Sequence, residues 1–334
     1  MKNWARSAAD YFRTARLQLA VLALMLLLDR LVAPSFFNLT IQDGRMFGSL
    51  IDVLNRAAPV GLLALGMAPV IATKGVDLSV GAVMAISGAV LATTVSAGHP
   101  WGLALAAALA AGLACGLWNG LLVAGLGIQP FVATLVLMVA GRGVAQLITE
   151  GRIVTFVEPH IAALGGSALL GVPIPVVIMA IVAALAIVLV RVTPLGLFIE
   201  AIGGNARASR LAGVNAKAVT TLAYAFSGVA AAIAGVIVAA DIRGADANNA
   251  GLWLELDAIL AVAVGGGSLL GGRFSLSRAI LGALAIQALK TGILLAGFPP
   301  EFNLVVMAVV VALVLCIQSP AIKLPRWRLA ARPL

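Results

Sequence analysis

Apolar residues run in long blocks along this chain, broken at intervals by short polar stretches. The blocks fall at approximately 17–37, 57–73, 76–97, 101–124, 128–148, 172–191, 217–240, 256–270, 279–297 and 302–319. Most approach the roughly 20 residues that an α-helix needs to cross hydrocarbon. The pattern predicts an all-α, polytopic integral membrane protein of about ten transmembrane helices. A membrane β-barrel would need short alternating segments, which the pattern lacks. The block at 256–270 is short and ends in Gly265, Gly266 and Gly267, so a broken or partly re-entrant helix is expected there. Only Lys74 and Gly75 separate the second block from the third.

The polar punctuation sets an expected orientation. With the N-terminus inside and the spans alternating, Arg30, Arg45, Arg56, Arg152 and Arg243 fall outside. Arg142 and Lys290 lie near span ends, and the remaining fifteen of the 22 Lys and Arg residues fall inside. That asymmetry follows the positive-inside rule and puts both termini in the cytoplasm. It also accounts for the net charge of +9, so nucleic acid is not expected as a partner. A basic leader (Lys2, Arg6, Arg13, Arg16) precedes the apolar run 17–28, but Asp29 and Arg30 follow with no small-residue cleavage site. A retained first span is the expectation.

Composition sharpens this picture. The chain is 62% hydrophobic and 10% charged over 334 residues, with a mean hydropathy of +1.10. Little remains for soluble domains, so any energy-converting or ligand-capturing domain must sit on another chain. The expected division is a leader at 1–16, one membrane domain at 17–319 and a basic tail at 320–334. Cys115 and Cys316 both lie inside apolar runs and read as buried small residues.

The longest polar interruption in the second half is EAIGGNARASRLAGVNAKAV, residues 200–219, within an expected inner loop at 193–217. Gly203 and Gly204 are expected to break the preceding helix. Asn205 can cap a short helix, Gly213 suits the left-handed residue that ends it, and Asn215 can cap the next. Arg207 and Arg210 share one face; Ala208, Leu211 and Ala212 make a small, flat opposite one. Such a helix suits docking on a soluble partner or lying against lipid headgroups.

Catalytic signals are missing. No glycine-rich loop ends in Gly-Lys-Ser/Thr, and His99 and His160 fall in expected outer loops without metal-ligand spacing. The polar residues within spans are better leads, because each costs free energy unless it faces a pore or a partner. They are Asn55, Asp77, Ser79, Asn119, Gln129, Thr134, Arg142, Gln146, Gln287 and Lys290, together with Asp257. Amides and hydroxyls suit a neutral polyol such as a sugar. The same groups can equally tie helices together, cap helices (Asp77, Asp257) or snorkel (Arg142, Lys290). Asp77 in GVDLSVGAVMA and Asp257 in ELDAILAVAVGGG also echo one another across an odd number of spans, as in an inverted repeat. Spaced glycines (Gly61 and Gly66; Gly112, Gly116 and Gly120; Gly267 and Gly271) are expected at close helix contacts.

Five ordered stretches carry a resemblance: IDVLNRAAPVGLLALGM, GVDLSVGAVMAISGAV, QPFVATL, EAIGGNARASRLAGVN and ELDAILAVAVGGGSLLGGRFS. Over residues 20–318 the chain resembles the permease subunits of monosaccharide ABC importers, in the ribose/arabinose/galactose branch. QDGRMFGSLIDVLNRAAP and DIRGADANNAGLWLELDAIL are most similar to the galactofuranose type. The resemblance implies a multi-pass bacterial inner-membrane protein that is not itself an enzyme. It implies a periplasmic sugar-binding protein, a second and different permease, and a cytoplasmic ATP-binding subunit. ATP and magnesium would then sit on that subunit, with no cofactor on this chain. The family's coupling motif maps onto Glu200, Gly203, Asn205, Arg207, Ala208, Gly213 and Asn215, with Arg210 on the same helix; Ser209 departs from the alanine common there. The sugar pathway is expected among Asn55, Asp77, Ser79, Asn119, Gln129, Arg142, Gln146 and Asp257. An ion-coupled secondary transporter using an acid such as Asp77 is the alternative.

Overall fold

The computed structural model describes residues 2–42, 45–299 and 301–318; the expected tail at 320–334 lies outside them. Two largely buried helices form the centre. They are α2 (Ser49–Ala72) and α9 (Ala216–Ile242), packed against each other. They run antiparallel: Asn55 and Asp241 line one cavity at one end, and Ala72 and Val219 share an apolar cluster at the other.

Around this pair the chain builds two matched halves. On one side α3 (Val80–Ser96) and α4 (Trp101–Gly120) pack on each other and on α9. On the other, α10 (Leu254–Val264) and α11 (Leu276–Leu295) pack on each other and on α2. Asp77 lies just before α3 in the first of these pairs, and Asp257 in the first turn of α10 in the second. Each short helix is also approached through a left-handed non-glycine residue, Lys74 before α3 and Trp253 before α10.

The other helices surround this frame. α1 (Lys2–Val32) lies along α11, α5 (Pro130–Ile148) on α3, and α7 (Ile174–Val192) on α2. α4 continues into a π-helical turn at Leu121–Gly125. α6 (Pro159–Gly166) packs on α9, α8 (Leu195–Leu211) spans the ends of α7, α9 and α2, and α12 (Phe302–Gln318) touches α10 and α11. The strands are two- and three-residue antiparallel pairs in loops. They are β1 (Thr40–Gln42) with β2 (Arg45–Phe47), β3 (Val154–Thr155) with β6 (Gly244–Ala245), and β4 (Ala168–Leu169) with β5 (Val172–Pro173).

Among the described residues, 6 helices are long and apolar enough to cross a membrane. The block expected at 256–270 shortens to α10, eleven residues or about 16 Å. It stops at Val264 because Gly266 takes a positive φ and turns the chain away. Two helices, α6 and α8, have no counterpart among the predicted blocks, since neither carries a long apolar run.

Glycines on α4 let it pack closely against α9. A Cβ at Gly112 would meet the Gly228 carbonyl at 2.6 Å, one at Gly116 the Tyr224 carbonyl at 2.4 Å, and one at Gly120 the Thr221 Cα at 2.8 Å. The small-residue stripe is thus tight packing of α4 on α9. Gly267 and Gly271, by contrast, lie in the loop after α10 rather than on a helix face. Gly116→Val should destabilise the protein by about 1–3 kcal/mol through overpacking. Gly143→Ala, with open space around it, should be nearly neutral. Thermal unfolding in detergent would check both; equal melting temperatures would refute the close contact.

Candidate functional site

The intramembrane polar residues do not converge on one place. Three of them form a sealed node. Between α2 and α3 the chain breaks, and Asp77 sits in the break at 1% exposure. Its Oδ1 accepts from the Ser79 amide at 3.0 Å, the Ser79 hydroxyl at 2.6 Å and the Asn119 amide at 3.3 Å. Its Oδ2 accepts from the Ser227 hydroxyl at 2.8 Å. Asn119 also donates to Ser79 Oγ at 2.8 Å. The preceding carbonyl, that of Val76, accepts from Thr134 at 3.2 Å and from Tyr224 at 3.4 Å. The break thereby ties α3 to α4, α5 and α9. Ser227 and Tyr224 went unnoticed in the sequence; a lone serine in the middle of an apolar run was the available signal for the first.

Arg142 and Gln146, one turn apart on α5, act on a loop instead. The Arg142 guanidinium donates to the carbonyls of Ala247 and Ala250, and Gln146 donates to Asn248 Oδ1 at 2.8 Å. The loop is folded on Asp246, whose carboxylate accepts from the amides of Asn248 and Asn249 and from the Asn249 side chain. That side-chain bond is the main cause holding the Asp246 carboxyl below its ordinary pKa. Gln129 stands apart, exposed at the start of α5.

The remaining candidates meet at a cavity of about 200 Å³ between α2, α9, α10 and α11. Asn55 and Arg56 come from the second turn of α2, Asp241 from the last turn of α9, Asp257 from the first turn of α10, and Gln287 and Lys290 from α11. Lys290 forms an ion pair with the buried Asp257. Asn55 Oδ1 is buried without a partner, and Pro59, one turn on, has no N–H to offer the Asn55 carbonyl. The wall therefore presents acceptors, amide donors and two charges of each sign. No group of acids, histidines and cysteines that could hold a metal occurs among the described residues.

At the opposite end of α2 and α9 lies α8. Its first half is seated on the core. A Cβ at Gly203 would come within 1.9 Å of the Ala72 carbonyl, so the glycine permits contact rather than breaking the helix as expected. Glu200 accepts from the Phe274 amide at 3.4 Å, and Lys74 donates to the Gly204 carbonyl at 3.3 Å. The break comes at Asn205 (φ −154, ψ 98). Its side chain accepts from the amides of Arg207 and Ala208, both at 3.0 Å. Gly213 ends this short helix at φ +86, and Asn215 caps α9 through the Ala218 amide at 3.1 Å. Arg207, Ala208, Arg210 and Ala212 are exposed, and Leu211 is 86% exposed.

Residues 49–315 match the family described as the branched-chain amino acid transport system / permease component. The chain belongs to this family. The permease is 62% identical over 302 residues to the galactofuranose transporter permease protein of Escherichia coli K12, covering 90% of this chain and 89% of that protein. It is 43% identical over 290 residues to the fructose import permease of Bifidobacterium longum, covering 84% and 80%. It is 37% identical over 321 residues to the ribose import permease of Escherichia coli K12, covering 94% and 97%. No solved structure matches it. It is a permease of the ABC sugar-import class, a transport subunit, and a multi-pass membrane protein.

Removing the Asp77 carboxylate would strand several buried donors at once. Asp77→Ala should cost about 2–5 kcal/mol and Ser227→Ala about 1–2 kcal/mol in thermal stability. Wild-type melting of Asp77→Ala would contradict the structural role.

Proposed function

We propose that this permease forms half of the translocation pathway of an ATP-driven importer of galactofuranose or a related monosaccharide. The observation that carries this reading is the 62% identity, over 90% of the chain, to a galactofuranose transporter permease. In this reading the chain lies in a bacterial inner membrane with about ten spans. Both termini are cytoplasmic, following the distribution of its lysines and arginines. A single membrane domain at 17–319 lies between a leader and a tail. A second, different permease completes the path.

The cavity at Asn55, Asp257, Gln287 and Lys290 is then the outer part of the path, facing a periplasmic sugar-binding protein. Its donors and acceptors match the hydroxyls of a neutral sugar, and its opposite charges leave it with no net preference for an ion. The Asp77 node and the Arg142–Gln146 clamp hold its walls in place. The loop at 193–217 delivers the drive. Glu200, Gly203 and Asn205 seat and cap the short helix, and Arg207, Ala208, Arg210, Gly213 and Asn215 present it to a cytoplasmic ATPase that binds ATP and magnesium. An ion-coupled mechanism would need Asp77 free to take a cation, yet its carboxylate already accepts four protein hydrogen bonds.

Charge reversal at Arg207→Glu with Arg210→Glu should lower ATP-driven uptake in reconstituted vesicles on the order of tenfold or more. Membrane insertion and melting temperature should not change, since both side chains are exposed. Unchanged uptake, or uptake by the permease without an ATPase, would overturn the reading.

A further inference from the structure

A second cleft lies at the α8 end of the molecule, away from the polar cavity. It has two compartments that share Val190, Phe274 and Leu276 as lining residues. The inner compartment, about 410 Å³, is lined wholly by apolar side chains, among them Pro69, Leu113, Leu222, Phe226 and Val229. The other, about 370 Å³, is mixed, with Arg191, Glu200 and Ser277 on its wall beside apolar side chains such as Ile187 and Leu197. An apolar slot that gains polar groups at one end has the build of an amphiphile site rather than of a sugar site.

Its surroundings narrow the occupant. Arg191 is in the last turn of α7, a helix long and apolar enough to span the membrane. The boundary between the two compartments therefore sits where hydrocarbon gives way to headgroups. Leu185, Leu189, Leu197 and Leu222, beside the cleft, are 66%, 52%, 69% and 55% exposed, so hydrocarbon chains are the natural neighbours. Arg191 is exposed and makes no ion pair among the described salt bridges. Glu200, across the same compartment, is already engaged with the Phe274 amide. The mouth thus carries one charge of each sign, and the exposed one is Arg191, Glu200 being half-buried.

We propose that this cleft binds one anionic phospholipid, with an acyl chain in the apolar compartment and the phosphate against the Arg191 guanidinium. Because Glu200 and Leu195 of α8 line the cleft, the lipid would lie directly against the base of the short basic helix. The inference does not depend on which solute the permease carries.

The test is lipid retention by the full chain, followed by native mass spectrometry after titration with phosphatidylglycerol or phosphatidylcholine in detergent. Phosphatidylglycerol should bind more tightly, on the order of fivefold, and Arg191→Gln should abolish that preference. Arg210→Gln, on the exposed helix outside the cleft, should retain it. Val229→Trp, which fills the apolar compartment, should weaken both lipids. Equal binding of the two lipids by the wild-type chain would overturn the proposal. So would a preference that survives Arg191→Gln in monodisperse protein, or cross-linking from Leu222→Cys that captures a second permease chain in place of lipid.

Discussion

A break in a buried helical chain leaves backbone groups that water cannot reach, and a carboxylate placed there needs donors on every side. The structure meets both demands at Asp77. Three groups donate to one oxygen and a fourth to the other, drawn from α4, α9 and the chain's own next turn. The Val76 carbonyl beside it is met by Thr134 and Tyr224. The positions of α3, α4, α5 and α9 follow from this one cluster, and the glycine stripe of α4 brings Asn119 close enough to α9 to take part in it.

The second half of the molecule repeats the arrangement with a different outcome. Asp257 lies in the first turn of α10, where Asp77 lies in the break just before α3, and each is reached by a polar side chain from the following helix. In the first half that side chain is a neutral amide, Asn119, which donates to Asp77 and Ser79 while its own Oδ1 has no partner. In the second it is Lys290, and the ion pair stands at the wall of a cavity with Asn55, whose side-chain oxygen has no partner. One cluster is buried among the helices that it ties together, and the other lies on the wall of a polar cavity.

Much of this was legible from residue order. The long apolar blocks fall on helices because a helix satisfies its backbone within a single segment in hydrocarbon, and Asn205, Gly213 and Asn215 take the conformations that capping chemistry demands. What escaped depends on contacts distant in sequence. Gly203 reads as a breaker, yet its lack of a Cβ serves the approach to Ala72. Arg142 reads as a snorkelling cation, yet it holds carbonyls more than a hundred residues away. Ser227 is one serine among many small residues until Asp77 is placed beside it. Helix α6 is eight residues long and capped by Glu158, too short for hydrophobic periodicity to register.

The central claim is that the polar residues of the bundle divide into a sealed tie and an open path. It is tested most directly by single cysteines at Ser79 and Asn55, in a chain with Cys115 and Cys316 replaced by serine. A membrane-impermeant thiol reagent should modify the cysteine at Asn55 from one side of the membrane, with protection by the transported sugar. The cysteine at Ser79 should stay unmodified at rest and during ATP-driven turnover. Modification at Ser79 during turnover, or its absence at Asn55, would contradict the division.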